Sequence, residues 1–218
     1  MKRITLFAGH YGSGKTNIAV NYALWLKSLG QNVTIADLDI VNPYFRTKDS
    51  AEELSNAGIE LISPAFANSN VDLPALPQEL YKLVQDRTCL AVMDIGGDDR
   101  GAYALGRYTP SILEENNYEM IFVANFFRPL TRTAEEAFQV MREIEVAGGV
   151  PFTAIVNNSN VGAETTADDV LSTADKAEEL SRLSGLPIIM TTAEMKVASD
   201  LKKSLENVFP LSLQKKLF

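Results

Sequence analysis

The octapeptide G-H-Y-G-S-G-K-T at residues 9–16 separates the apolar run Ile4–Ala8 from a stretch whose apolar residues recur at spacings of three and four. Glycines at that density let the backbone turn through conformations closed to other residues, so the chain should pass from strand to helix in one tight turn. The same alternation continues downstream. Apolar, β-branched runs at Asn32–Ala36, Glu60–Ile62, Leu90–Asp94, Met120–Ala124, Thr153–Val156 and Pro187–Met190 read as strands. Helix-period segments lie at about 15–29, 76–85, 133–147, 166–183 and 193–206. Continuous rather than alternating apolar runs suit strands buried on both faces. The expected fold is therefore α/β: a doubly wound, mostly parallel sheet with helices on both faces, in one domain over residues 1–218.

Local signals sharpen some boundaries. Thr133 with Glu136 three residues on forms a capping box, and Gly148-Gly149 closes that helix before Pro151. The stretches 67–70 (A-N-S-N) and 157–160 (N-N-S-N) read as loops, and Asn42-Pro43 as a turn. The first residues, M-K-R-I-T-L-F-A, have too short an apolar stretch for a secretory leader and read as a first strand.

Composition excludes some function classes. A formal charge of −8 argues against a broad basic face for nucleic acid. A single cysteine, Cys89, allows no internal disulfide and no thiolate zinc cluster, which fits a cytoplasmic protein. The end of the sequence, V-F-P-L-S-L-Q-K-K-L-F, is read as an apolar tail docked on the core in preference to a membrane anchor, because it is short and interrupted by Pro210. Phe126, Phe127, Met190 and Met195 are expected to pack in the core or in loops, and Trp25 on the first helix.

Residues 9–16 fit G-x-x-x-x-G-K-[ST] in full, between a strand and a helix, and that context gives the pattern its specificity for nucleoside triphosphate. The N–H groups of Gly9, His10, Tyr11, Gly12, Ser13, Gly14, Lys15 and Thr16, with Asn17 just beyond, are expected to line the phosphates, aided by the helix N-terminus. Lys15 reaches the β- and γ-phosphates, and the Thr16 hydroxyl suits Mg²⁺.

Two further elements follow. Asp37 and Asp39 stand one residue apart at the end of the second strand, where ligands of doubly wound sheets bind. Asp94 closes the run L-A-V-M-D, a metal-side carboxylate by position, and the N–H of Gly97 is placed to sense a γ-phosphate. Arg46, Arg100, Arg107 and Arg128 are scattered through expected loops and form no lid.

These elements in this order resemble the MinD/ParA group of deviant P-loop ATPases, which includes the nitrogenase iron protein and the CobQ/CobB-type enzymes. The most specific part is K-T-N-I-A-V-N-Y-A-L-W-L-K-S-L-G-Q-N-V-T-I-A-D-L-D. The resemblance implies ATP and Mg²⁺ bound through Lys15 and Thr16, Asp39 orienting the lytic water, Asp37 and Asp94 supporting the metal, and a nucleotide-dependent homodimer. The group's signature lysine falls at position 10, where this chain has His10, its one histidine.

Metallochaperone GTPases of urease and hydrogenase maturation share G-S-G-K-T without that lysine, and D-I-G-G-D-D is similar to their switch element. Guanine readers of that kind use N-K-x-D, whose carboxylate accepts two N–H groups, whereas this chain has Asn157-Asn158-Ser159-Asn160. Asn157 is accordingly the expected base contact, to adenine. An ATP-hydrolysing switch acting on an unidentified protein partner is the leading expectation. A metallochaperone-like GTPase and an ATP-dependent small-molecule ligase or kinase are the alternatives.

Overall fold

A computed structural model describes residues 1–39, 47–63, 79–97 and 99–213. Its strands are β1 (Ile4–Ala8), β2 (Val33–Leu38), β3 (Glu60–Ile62), β4 (Leu90–Ile95), β5 (Tyr118–Ala124), β6 (Ala154–Asn157), β7 (Ile188–Glu194) and β8 (Val208–Leu211). Its helices are α1 (Lys15–Ser28), α2 (Ala51–Asn56), α3 (Glu79–Gln85), α4 (Asp99–Gly106), α5 (Thr109–Glu115), α6 (Ala134–Gly148), α7 (Ala167–Leu171), α8 (Ala174–Ser184) and α9 (Met195–Leu201), with a 3-10 turn at Thr47–Ser50. The strands form one sheet in the order β3-β2-β4-β1-β5-β6-β7-β8, and every pairing is parallel.

The doubly wound α/β architecture follows from how each strand divides its side chains. Ile4, Leu6 and Ala8 of β1 join Ala91, Met93 and Ile95 of β4 in a core closed by α3, α4, α5, α6 and α8. Phe7 of β1, Ile35 of β2, Val92 of β4 and Val123 of β5 face the opposite way, under α1 and α2. Both faces are apolar because both are covered. A smaller cluster of Val170, Ala193, Val197 and Leu201 holds α7 and α9 to the far end of the sheet.

β1 lies between β4 and β5, so the chain departs on opposite sides of it. The resulting crevice at the carboxyl ends is where doubly wound sheets bind ligands. The phosphate loop opens there, directly after β1.

At the opposite rim, Arg3 is buried and its guanidinium forms an ion pair with Glu115. It also donates to the carbonyls of Leu83, Val84 and Asp86, at 3.1, 2.9 and 3.0 Å. One side chain thus caps the carbonyl end of α3 and ties it to β1 and α5.

Several expected boundaries shift for identifiable reasons. The helix expected over 166–183 divides into α7 and α8 at Ser172-Thr173. Both hydroxyls bond backward, to Asp169 O at 2.7 Å and Val170 O at 2.7 Å, and Asn157 Nδ2 donates to Thr173 Oγ1 at 3.1 Å. β7 runs on to Glu194, which shortens the helix expected over 193–206 to α9. The expected Thr133–Glu136 capping box is present on α6.

Residues 208–211 of the expected apolar tail form an edge strand with Leu211 buried, and Pro210 is tolerated because β8 pairs on one side alone. Met195, expected to pack, is 60% exposed, since it starts α9 on the solvent side. Helices α2, α4 and α5 had no clear sequence signal: they are short, and Pro110 falls in the first turn of α5, where its missing N–H costs little. The turn at Asn42-Pro43, Arg46, the loop at 67–70, residues 76–78 of the second expected helix, and Lys215, Lys216, Leu217 and Phe218 lie outside the described residues. Among the described residues, no helix is long and apolar enough to cross a membrane.

Candidate functional site

Gly12 and Gly14 carry φ of +74° and +88°, the left-handed region that the loop needs in order to turn its N–H groups inward. Gly14 is the N-cap of α1, no side chain caps that helix, and no acidic residue stands in its first turn. By contrast α6 and α7 are each closed by a threonine capping box. The first turn of α1 thus offers uncapped N–H groups and an unopposed positive dipole end, a ready site for an anion. Lys15 and Thr16 start the helix and are both buried. Ser13 Oγ is buried without a hydrogen-bonding partner.

The carboxylates converge through strand register. Asp37 of β2 lies opposite Asp94 of β4, and Asp94 lies opposite Phe7 of β1, all on the α1 face. Thr16 Oγ1 donates to Asp94 Oδ2 at 2.6 Å, and Thr47 Oγ1 donates to the same oxygen at 3.2 Å. Asp94 Oδ1 is buried and has no hydrogen-bonding partner. Burial pushes the Asp94 carboxyl up to about 6; nearby Asp39 adds to the rise, while the Lys15 ammonium and the two threonine hydroxyls oppose it. Asp39 sits just past β2 and is buried, with its N–H donating to Asp37 Oδ1 at 3.0 Å.

This donor set fits a magnesium ion bound together with nucleotide phosphates. A hard cation prefers oxygen ligands and is usually held by one or two carboxylates plus phosphate oxygens. Among the described residues no three acidic, imidazole or thiolate groups converge to hold a metal alone.

Gly97 packs against the phosphate loop itself. A Cβ there would come within 2.3 Å of Gly9 O and 2.9 Å of Tyr11 N, so the loop after β4 rests on the first half of the phosphate loop. Tyr11 is 57% exposed at the loop tip, and His10 is half-buried. Burial and Lys15 hold the His10 imidazole below its ordinary pKa, with Glu143 opposing. Asn17 lies in the first turn of α1, where its carbonyl accepts from Asn21 Nδ2 at 2.8 Å.

Asn157, the expected base contact, closes β6 beneath the surface. Its Nδ2 donates to Thr173, and its Oδ1 accepts from Ser159 N at 3.1 Å and Ser159 Oγ at 2.6 Å.

Its neighbour Asn158 reaches the loop instead. Asn158 Nδ2 donates to Ser13 O at 2.6 Å, and its Oδ1 accepts from Thr192 Oγ1 at 2.6 Å. A Cβ on Gly14 would lie 2.3 Å from that Nδ2, so glycine at position 14 also makes room for the clamp. Arg128, in the turn after β5, donates from Nε to Gly12 O at 2.8 Å. Sequence reasoning missed Asn158, Thr192, Thr47 and Arg128 as site residues. The N-N-S-N stretch drew attention to this strand end through Asn157, whereas Asn158 is the residue that contacts the loop.

Sheet order, glycine-rich loop and convergent carboxylates define a fold of the P-loop nucleoside triphosphatase type. No protein-family model matches the chain, and no curated protein does. Solved structures that share the fold include FtsY from Mycoplasma mycoides, with TM-score 0.60 and 18% identity over 87% of this chain and 59% of that one. The cell division protein FtsY from Thermotoga maritima aligns with TM-score 0.60 and 16% identity, over 88% of this chain and 62% of its own. The signal recognition particle receptor FtsY from Elizabethkingia anophelis, solved in complex with GDP, aligns with TM-score 0.50 and 12% identity, over 88% of this chain and 57% of its own. The chain spans about three fifths of the length of these proteins.

Proposed function

We propose that this chain is a magnesium-dependent, ATP-hydrolysing switch of the MinD/ParA type that acts on a protein partner. One observation carries the reading most directly: Asp94 is fully buried beneath the phosphate loop, with one oxygen taken by Thr16 and Thr47 and the other without a partner. A buried, unsatisfied carboxylate oxygen is costly, and a cation with its water shell is the group that offsets it.

In this reading the backbone of Gly9–Thr16 cradles the phosphates, with Asn17 at its edge, and Lys15 neutralises their charge. Thr16, Asp37 and Asp94 hold Mg²⁺, which when bound draws negative charge from the β- and γ-phosphates. Asp39 orients the attacking water. The loop at Gly97, resting on Gly9–Tyr11, moves with the presence of the terminal phosphate. Asn157 bounds the base region from within β6. His10 stands where the MinD/ParA group has its dimer-spanning lysine, so a nucleotide-dependent homodimer would close without that contact.

GTP is the second reading, because a structure of the same fold holds GDP. Incubating the purified chain with Mg²⁺ and either nucleotide, with no added acceptor, separates the classes. Phosphate release from ATP in preference to GTP is expected, and Lys15→Ala should lose about 100-fold in triphosphate affinity. Turnover retained in Lys15→Ala sinks the assignment. Release that requires an added small-molecule acceptor identifies a ligase or kinase instead.

A further inference from the structure

Arg128 stands out because its side chain is committed at one end and uncommitted at the other. Nε donates to Gly12 O at 2.8 Å, and the Nε, Cδ and Cζ atoms lie 3.5, 3.7 and 3.7 Å from where a Cβ on Gly12 would stand. The Cδ–Nε–Cζ part of the side chain therefore lies against the loop at Gly12. Its two terminal nitrogens have no hydrogen-bonding partner among the described residues, although the residue is half-buried.

The backbone beneath it is fixed. Arg128 N donates to Asn125 O and Arg128 O accepts from Thr131 N, both at 3.1 Å. Asn125 is fully buried, with Oδ1 accepting from Phe127 N at 3.0 Å and its carbonyl accepting from Thr131 Oγ1 at 2.6 Å. β5 is the strand next to β1, so this rigid turn stands directly beside the phosphate loop.

We propose that Arg128 is a second fixed cation of the phosphate site, binding the phosphate chain of a nucleoside triphosphate through its terminal guanidinium nitrogens while Nε holds the loop. A side chain that served only to brace Gly12 would need Nε alone. A forked guanidinium retains four further N–H donors in one plane, the geometry that pairs with phosphate oxygens. The site needs such a charge: Asp94 interacts with both Lys15 and Asp39, Asp37 lies opposite Asp94 in the strand register, and the triphosphate adds negative charge of its own. Position 10 supplies a half-buried histidine and no lysine. The inference rests on the nucleotide reading above.

The test measures binding by the full chain, in Mg²⁺, of fluorescent non-hydrolysable ATP and GTP analogues. It compares wild type, Arg128→Lys and Arg128→Ala, with the unfolding midpoint of each nucleotide-free protein recorded alongside. Arg128→Ala is expected to weaken triphosphate binding roughly tenfold or more, with the nucleotide-free midpoint within about 2 °C of wild type. Arg128→Lys should recover part of that affinity, since a point charge replaces the fork. Wild-type affinity in Arg128→Ala overturns the inference alone. So does an affinity loss that follows a matching fall in the nucleotide-free midpoint without recovery by lysine, which marks a brace. A wild-type chain that binds neither analogue overturns the nucleotide reading as well.

Discussion

Thr16 and Asp94, 78 residues apart in sequence, are joined by a 2.6 Å hydrogen bond between the first turn of α1 and the end of β4. The bond places the hydroxyl that follows the loop lysine on the carboxylate that ends a neighbouring strand. It also occupies one carboxylate oxygen, while the other is buried without a hydrogen-bonding partner. The fold itself thus joins the end of the glycine-rich loop to this carboxylate.

The buried carboxylate has a pH signature in the nucleotide-free protein. Burial raises the Asp94 carboxyl from 3.8 to about 6, so between those values the folded state holds a proton that the unfolded chain has released. Stability should therefore fall as pH rises from about 4 through about 6, by about 3 kcal/mol, and level off above. Asp94→Asn should abolish this slope, so that the variant exceeds wild type in stability near about pH 8. Urea unfolding at a series of pH values checks it; parallel profiles for the two proteins would exclude Asp94 as the source.

Gly97 gives a steric prediction. A methyl group at this position meets Gly9 O at 2.3 Å, and both partners are backbone, so neither can rotate away. Gly97→Ala should cost about 1–3 kcal/mol by forcing the two loops apart, and should weaken triphosphate binding more than diphosphate binding. Titration of both nucleotides reads the difference; equal losses would remove Gly97 from any part in sensing the terminal phosphate.

Arg3 offers a contrasting case, remote from the crevice. Removing it leaves Glu115 as a buried carboxylate without its cation and frees the carbonyls of Leu83, Val84 and Asp86. Arg3→Ala should cost about 3–5 kcal/mol. Nucleotide affinity measured below the unfolding transition should stay at the wild-type value, and a matched loss there would mean that the two rims of the sheet are coupled.

The sequence made the sheet legible because strands buried on both faces appear as continuous apolar runs, and the loop legible because its glycines and Lys15-Thr16 are contiguous. The placement of Asp37, Asp39 and Asp94 at strand ends was legible as well. The contacts that hold the loop were not. Arg128 reaches Gly12 across 116 positions, and Asn158 reaches Ser13 across 145. No local pattern encodes which side chain of N-N-S-N turns toward the loop; that depends on β6 lying two strands from β1 and on Thr173 capturing Asn157. Short helices such as α5 were missed because tertiary packing, not propensity, stabilises elements of that length.

Asn158 provides the most demanding test of this tertiary account. Its amide is buried, donates to Ser13 O and accepts from Thr192, so both ends are satisfied and its orientation is fixed. Asn158→Asp keeps the size and the acceptor for Thr192 but sets a carboxylate oxygen against the Ser13 carbonyl. Two acceptors at that separation repel, and the loop must withdraw. Stability should fall by about 2–3 kcal/mol near neutral pH, and triphosphate affinity by roughly tenfold or more. Protonating the new carboxyl restores a donor, so the stability deficit should shrink as pH is lowered. Unfolding midpoints and nucleotide titrations across that range check both effects. A variant that binds nucleotide as wild type does would show that the phosphate loop keeps its shape without the Asn158 clamp.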